Sequence, residues 1–193
     1  MNENLISDLF RNVISEGLGL DLSDPNLKDT PNRIARAYCQ EFFENTGKEP
    51  EGNLLKTFPN NHHYDEIIMF DNIPFTSMCS HHFLPFSGLA WFLYIPNELL
   101  LGASKPARTI EFFTKQPLLQ EHLSHLISTF LQEEVKPLGT MLVMRAVHSC
   151  MACRGVKTGL SSGMTTSQTT GYFRSTPTKM EALQLIQLSL NTR

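Results

Sequence analysis

The sequence predicts an α+β fold in which a helical N-terminal arm precedes a domain built on a β-sheet. Residues 4–47 carry apolar side chains at helical spacing, interrupted by glycines that end helices. Apolar runs typical of strands occur at 66–70, 74–78, 88–96 and 140–148. Two helical segments separate the third run from the fourth, an order that indicates an α+β domain rather than alternating β-α units.

The arm is predicted at residues 1–47 and contains two helices. The first covers 4–18, and its apolar positions are Leu5, Ile6, Leu9, Val13 and Ile14. The second begins at Asp29-Thr30-Pro31, where an aspartate can cap and proline suits the first helical position, and it ends near Gly47. Residues 48–64 are polar and predict a connector in which the His62-His63 pair is an exposed loop.

The main domain is predicted at residues 65–193. Strands at 66–70 and 74–78 flank an Asp71-Asn72 turn, and the apolar strand 88–96 is expected to be covered on both faces. Helices over 104–114 and from Pro117 to near Pro137 precede strand 140–148, and the Thr- and Ser-rich segment 163–173 fits a further strand. A terminal helix begins at Thr176-Pro177, and its predicted apolar face consists of Met180, Leu183, Ile186 and Leu190.

Composition narrows the classes of function. A chain of 193 residues with 41% hydrophobic and 18% charged residues is typical of a soluble globular protein. The net charge of -3 argues against nucleic-acid binding, so an anionic ligand requires a local cluster of cations. No apolar run has the length of a membrane span, and the first four residues lack signal-peptide features, so we expect a cytoplasmic protein without membrane contact. In that compartment the four cysteines are better interpreted as ligands or buried thiols than as disulfides.

Two short segments carry candidate metal ligands. The first places Cys79, His81 and His82 directly after a strand, and the second places Cys150 and Cys153 directly after another. Thiolate and imidazole at these spacings suit Zn²⁺. Two interpretations compete: a closed structural site with Cys79, His82, Cys150 and Cys153, or a three-ligand site without Cys153 that leaves one position for water.

Additional histidines favour the three-ligand interpretation. His81 and His148 lie beside the ligands, and a structural site has no use for them. A hydrolytic site does, because it needs imidazoles that move protons near neutral pH.

Several segments, in order along the chain, resemble GTP cyclohydrolase I. They are Asp29-Thr30-Pro31-Asn32-Arg33-Ile34-Ala35, Cys79-Ser80-His81-His82 with Pro85-Phe86-x-Gly88, Tyr94-Ile95-Pro96, Gly102-Ala103-Ser104-Lys105-Pro106-Ala107-Arg108, Gln116-Pro117-Leu118-Leu119-Gln120-Glu121, His148-Ser149-Cys150-Met151 with Arg154-Gly155, and Thr165-Thr166 to Gly171-Tyr172-Phe173. The resemblance implies a T-fold, an antiparallel sheet with two helices on one face, assembled into a toroidal homodecamer with active sites between subunits. It also implies one Zn²⁺ per subunit and hydrolysis of GTP to formate and 7,8-dihydroneopterin triphosphate, the first step of tetrahydrofolate or other pterin synthesis.

The resemblance implies a role for each matching residue. Cys79, His82 and Cys150 would bind the zinc ion, whose open position holds the water that attacks C8 of guanine. His148 matches the proton donor and acceptor at the imidazole ring of the purine. His81 matches an imidazole of later proton transfers, and Ser104 matches a serine near the ribose and phosphates.

The implied substrate contacts distinguish guanine from adenine. Glu121 matches the carboxylate that accepts from N1–H and the exocyclic amino group, a donor pair that adenine lacks, and Gln120 is similar to a second base contact. The remaining matches are cations around the triphosphate, which reconcile a polyanionic substrate with an acidic chain: Lys105, Arg108, Arg154 and Arg33.

Two positions depart from the family pattern. Ser80 stands where the family usually has glutamate, which removes a charge that could orient His81. Cys153 is not a family ligand, and we expect it to be a small buried residue. The Ser80 departure keeps open a non-catalytic T-fold paralogue that binds purine or pterin. A T-fold nitrile reductase fits less well, because that enzyme lacks this set of zinc ligands.

Overall fold

The computed structural model describes residues 1–51 and 54–191. Along the chain the elements are α1 (Glu3–Asn12), α2 (Thr30–Ala37), β1 (Thr57–Pro59), β2 (Ile68–Cys79), β3 (Pro85–Ile95), β4 (Leu99–Leu101), α3 (Lys105–Thr114), β5 (Pro117–Leu118), α4 (Gln120–Val135), β6 (Gly139–His148), α5 (Ser149–Ala152), β7 (Met164–Thr169) and α6 (Thr176–Asn191). Helices α1 and α2 each continue into a π-helical turn, Val13–Gly17 and Tyr38–Phe42, and a 3₁₀ turn at Gly171–Arg174 precedes α6.

The main sheet has five strands in the order β5-β2-β3-β6-β7. Its long neighbours pair antiparallel, and only the two-residue β5 runs parallel to its partner β2. Helices α3 and α4 contribute Ile110, Leu123 and Ile127 to a core on one face of the sheet. The α+β prediction is therefore confirmed, and the arrangement is the one expected of a T-fold.

Strand β3 supplies both faces of the sheet with core residues. Phe92 and Tyr94 point into the core under α3 and α4, whereas Trp91, Leu93 and Ile95 pack in a second core with α6. This confirms the expectation that the strand is covered on both faces, because successive side chains of a strand point to opposite sides. The strand also packs very closely on β6: a Cβ added at Gly88 would lie 1.8 Å from a carbonyl oxygen of β6.

Two predicted boundaries were wrong. The Asp71-Asn72 turn does not exist, because β2 continues through it with a bulge between Phe70 and Ile73, and Asn72 takes the left-handed conformation at φ 51°. Asparagine tolerates this conformation, which occurs both in bulges and in turns. The local sequence signal is therefore the same for the two structures. The helix predicted to begin at Pro117 starts later, at Gln120 of α4. Pro117 itself belongs to β5 and pairs with Met78 of β2.

Two further details differ from the sequence analysis. Strand β1 lies inside the predicted connector and pairs with β4, whereas the His62-His63 pair is exposed as predicted. On α6 the buried residues are Ala182, Ile186 and Ser189, while three of the four side chains predicted for its apolar face are exposed. Two of the three buried residues, Ala182 and Ser189, have small side chains, so hydropathy alone does not reveal the buried face of this helix.

The arm contacts the main domain at the C-terminal end of α3. Asn45 donates from its backbone to the Lys115 carbonyl and from its side chain to the Phe112 carbonyl, both at 3.0 Å. Phe43 is buried and its ring lies 5.1 Å from that of Phe83, in the loop between β2 and β3. The arm therefore packs against the loop that follows Cys79.

Candidate functional site

The ends of two strands bring the candidate ligands together. Cys79 is the last residue of β2, and its carbonyl accepts from the amides of His82 and Phe83 at 3.3 and 2.8 Å, which folds the next turn back over it. Cys150 follows β6 in the single turn of α5. Because β3 pairs with both β2 and β6, these two strand ends lie beside each other.

The donor atoms of Cys79, His82 and Cys150 all lie within 4.8 Å of one another. Cys79 is buried, Cys150 is half-buried and His82 is exposed. Burial and the neighbouring Cys79 thiol raise the pKa of Cys150, so two thiols share a site where a negative charge is poorly accommodated without a cation. Two sulfurs and one imidazole nitrogen at this separation fit Zn²⁺, which binds thiolate and imidazole ligands and keeps an open position in catalytic sites.

Cys153 lies outside this group of donors. It is exposed and follows the last residue of α5, so the expectation that it is a small buried residue was wrong. Its amide donates to the Ser149 carbonyl at 3.0 Å, as in a helix, but its sulfur does not join the other donors. The structure brings together three donors, as the three-ligand interpretation predicts.

His148 lies beside the ligands at the end of β6. Its ring stacks on Phe86, with centroids 4.5 Å apart and an interplanar angle of 1°. Its Nε2 lies 2.8 Å from Oε1 of Gln120. Burial lowers the pKa of His148, and the nearby Glu121 carboxylate partly opposes that shift.

Gln120 lies at the start of α4, against strands β6 and β7. It is completely buried, and its amide nitrogen lies 3.0 Å from the Met144 carbonyl, 3.3 Å from the Met164 carbonyl and 3.2 Å from Oγ1 of Thr166. Both ends of the amide are bonded within the protein. In this structure the Gln120 side chain therefore contacts His148, and the contact of Gln120 with the base stays a prediction.

A cavity of about 300 Å³ connects these groups, and we call it the metal cavity. Its polar lining includes Glu121, which lies in the first turn of α4, where the helix dipole favours a carboxylate. The full lining is Cys79, His81, His82, Leu118, Leu119, Gln120, Glu121, His148, Cys150, Met151 and Met164. Apolar walls with a few converging polar groups are typical of small-molecule sites.

Most of the residues predicted to contact the triphosphate lie away from the metal cavity in this chain. Among the described residues, Ser104, Lys105, Arg108 and Arg33 do not line the metal cavity. Arg108 borders a separate cavity of about 410 Å³ beside Lys115, and the exposed Arg33 lies 3.8 Å from Asp29. The exposed Arg154 is close enough to Cys150 to oppose the rise in its pKa.

Three residues of the site were missed. Phe86 stacks on His148, and Ser124 and Thr166 continue the hydrogen bonds of Gln120 with Oγ atoms 2.7 Å apart. Phe86 and Thr166 lie in the segments that carried the resemblance, which was their only sequence signal. Ser124 gave none, because a serine inside an amphipathic helix is usually unremarkable.

Known proteins match this chain over most of its length. The model of the family described as GTP cyclohydrolase I matches residues 6–187. The protein named GTP cyclohydrolase 1 from Clostridium kluyveri is 41% identical over 174 residues, covering 90% of this chain and 91% of its own. The protein of the same name from Carboxydothermus hydrogenoformans is 39% identical over 175 residues, covering 90% of each chain.

A solved structure, the archaeosine synthase QueF-Like in the apo form, matches with a TM-score of 0.45 and 12% identity. It covers 54% of this chain and 93% of that chain, and the likeness is too weak to bear on function. Over the described residues, no helix has the length and apolar character needed to cross a membrane.

Proposed function

Because this chain belongs to the GTP cyclohydrolase I family, we propose that it hydrolyses GTP to formate and 7,8-dihydroneopterin triphosphate. One observation carries the proposal beyond family membership. The donors of Cys79, His82 and Cys150 lie within 4.8 Å of one another on the wall of a cavity that Glu121 and His148 also line. The product would serve tetrahydrofolate or other pterin synthesis.

The proposed cofactor is one Zn²⁺ per chain, held by Cys79, His82 and Cys150. A zinc ion in such a site supplies Lewis-acid activation of water near neutral pH. The chain's own contribution is to place two sulfurs and one nitrogen at the edge of the cavity and to leave Cys153 away from them.

Glu121 is the proposed guanine contact. Its carboxylate lines the metal cavity and has two oxygens to accept from N1–H and the exocyclic amino group. Adenine presents no such pair, so binding it would leave the carboxylate desolvated without partners.

His148 is the proposed proton donor and acceptor at the purine imidazole ring. Stacking on Phe86 and the bond to Gln120 fix its ring, which lowers the cost of orienting a catalytic group. His81 also lines the metal cavity and is the candidate for later proton transfers. Ser80 is exposed and leaves His81 without the neighbouring carboxylate that the family usually has.

Triphosphate binding is proposed to require assembly. Arg154 closely follows α5, the helical turn that carries Cys150, whereas Arg108 and Arg33 do not line the metal cavity. In the homodecamer that the resemblance implies, Ser104, Lys105, Arg108 and Arg33 would reach the triphosphate across a subunit boundary. Cations of two chains would then form one anion site.

The test is to incubate zinc-loaded protein with GTP, and separately with ATP. We expect formate and, after oxidation and dephosphorylation, fluorescent neopterin from GTP alone. Zinc-loaded protein that binds GTP but releases no formate would overturn the proposal and favour a non-catalytic T-fold protein.

A further inference from the structure

The amide of Gln120 is surrounded by groups that determine which way it points. On one side lie the carbonyl oxygens of Met144 and Met164, at 3.0 and 3.3 Å from Nε2. Carbonyl oxygens only accept hydrogen bonds, so the NH₂ end of the amide must face them. The opposite orientation would bring the amide oxygen against two carbonyl oxygens in a site from which water is excluded, and none of the three oxygens could donate a hydrogen bond to another.

Two hydroxyl groups complete this network. Ser124 Oγ donates to the Gln120 backbone carbonyl at 2.8 Å, so Thr166 Oγ1, 2.7 Å away, donates to Ser124. Thr166 Oγ1 then has a lone pair for the Gln120 amide nitrogen at 3.2 Å. Every buried donor in the chain of contacts has an acceptor, which is the arrangement that native interiors require.

The fixed amide determines the proton on the adjacent imidazole. Gln120 Oε1 can only accept, so the 2.8 Å contact requires a hydrogen on Nε2 of His148. A neutral imidazole carries one N–H, so its Nδ1 must then hold the lone pair. Within residues 1–51 and 54–191, Nδ1 makes no hydrogen bond of its own. Stacking on Phe86 fixes the plane of the ring.

We propose that Gln120 is a positioning residue: it holds His148 as the Nε2–H tautomer, so that Nδ1 is the nitrogen that exchanges a proton with the substrate. This inference rests on the proposed function for the role of His148, but the tautomer itself follows from hydrogen bonding alone. It assigns Gln120 to the support of the imidazole rather than to recognition of the base.

The first test is nitrogen NMR on protein labelled with ¹⁵N-histidine, both metal-free and loaded with zinc, at alkaline pH. A His148→Asn variant identifies the signals of His148. We expect the protonated, pyrrole-like nitrogen to be Nε2 and its proton to be protected from solvent exchange. A proton on Nδ1 in the wild-type protein would overturn the proposal, and this measurement requires no substituted Gln120.

Gln120→Met provides the second test, because methionine has a similar length and offers no amide. We expect the protected Nε2–H signal to disappear and a fraction of the Nδ1–H tautomer to appear. Gln168→Met is the matched control: Gln168 forms an exposed amide–imidazole contact with His125 at 3.5 Å, and its loss should leave the His148 signals unchanged. A Gln120→Met protein that keeps the wild-type His148 signals would contradict the proposal.

Kinetics separate a positioning role from base recognition. For Gln120→Met we expect kcat for formate release to fall roughly 10–100-fold with KM for GTP nearly unchanged, the usual effect of losing a group that orients a functional imidazole. A raised KM at unchanged kcat would return Gln120 to base recognition. If wild-type protein releases no formate, the proposed function fails while the tautomer measurement still decides the structural inference.

Discussion

Replacing Glu121 with alanine would remove the proposed guanine contact while leaving the metal site intact. Glu121 is exposed and lines the metal cavity from the first turn of α4, and the three candidate zinc ligands belong to other elements. Its stabilising interaction with the helix dipole is worth only about 0.3–1 kcal/mol, so the variant should fold. Zinc content should remain at the wild-type level.

The expected effect on substrate binding is much larger. Each hydrogen bond to a charged group contributes about 1.5–3 kcal/mol, so two lost bonds amount to ~3–6 kcal/mol, or roughly 10²–10⁴-fold in kcat/KM. Inosine triphosphate lacks the exocyclic amino group and tests one of the two bonds. Wild-type protein should therefore prefer GTP over inosine triphosphate by roughly 10–150-fold, and Glu121→Ala should lose that preference.

The assay is formate release with each nucleotide, together with zinc analysis of each protein. Glu133→Ala is the matched control, because Glu133 is an exposed glutamate at the other end of the same helix. A Glu121→Ala protein that still distinguishes the two nucleotides would refute the assignment. Loss of zinc from this variant would show that Glu121 supports the metal site instead.

Three further predictions concern the metal, the sheet and the arm. Cys150→Ala should lose zinc whereas Cys153→Ala should retain it, as measured by zinc analysis, because only Cys150 lies with the other donors. Gly88→Ala should cost about 3 kcal/mol or more and lower the thermal midpoint by roughly 6–12 °C, because its Cβ would overlap a carbonyl oxygen at 1.8 Å. Lys115→Met should cost only about 0.5–1 kcal/mol at neutral pH in denaturant unfolding, because the ion pair with Glu44 is partly exposed.

Each of these predictions has a control or a contradicting result. Gly17→Ala is the control for the sheet, since the nearest heavy atom to its added Cβ is 4.0 Å away. Equal zinc loss from both cysteine variants would restore the four-ligand interpretation. Lys115 lowers the pKa of Glu44, so the contribution of the pair is present above the unfolded pKa and is lost as pH falls through the folded one. A stability difference for Lys115→Met that persists in acid would contradict this account.

That the three candidate metal ligands lie together could be predicted from sequence, because strand ends bring them together. Cys79 ends one strand and Cys150 follows another, and because both strands pair antiparallel with β3 they run in the same direction and end at the same edge of the sheet. Two thiols and an imidazole then define the chemistry whatever the details of the turns. The same reasoning could not place Cys153, because it lies beyond the strand in a single helical turn, which leaves no periodic signal in the sequence.

The proposed role of Gln120 could not be predicted from its position in a motif. Its two amide ends are distinguished only by Met144, Met164 and His148, which come from other elements. Such contacts depend on the register of β6 against β7. The wrong prediction of a turn at Asn72 has a similar cause. An asparagine in the left-handed conformation suits a bulge as well as a turn, and the pairing of β2 with β3 decides between them.

The single tryptophan of the chain gives a spectroscopic handle on the sheet face that lies away from α3 and α4. The indole N–H of Trp91 donates to Oγ of Ser189 in α6 at 3.2 Å, and its ring is almost completely buried. Detachment of the C-terminal helix would hydrate that ring and shift its fluorescence to longer wavelength. Emission from this one side chain can therefore monitor the docking of α6 without any label.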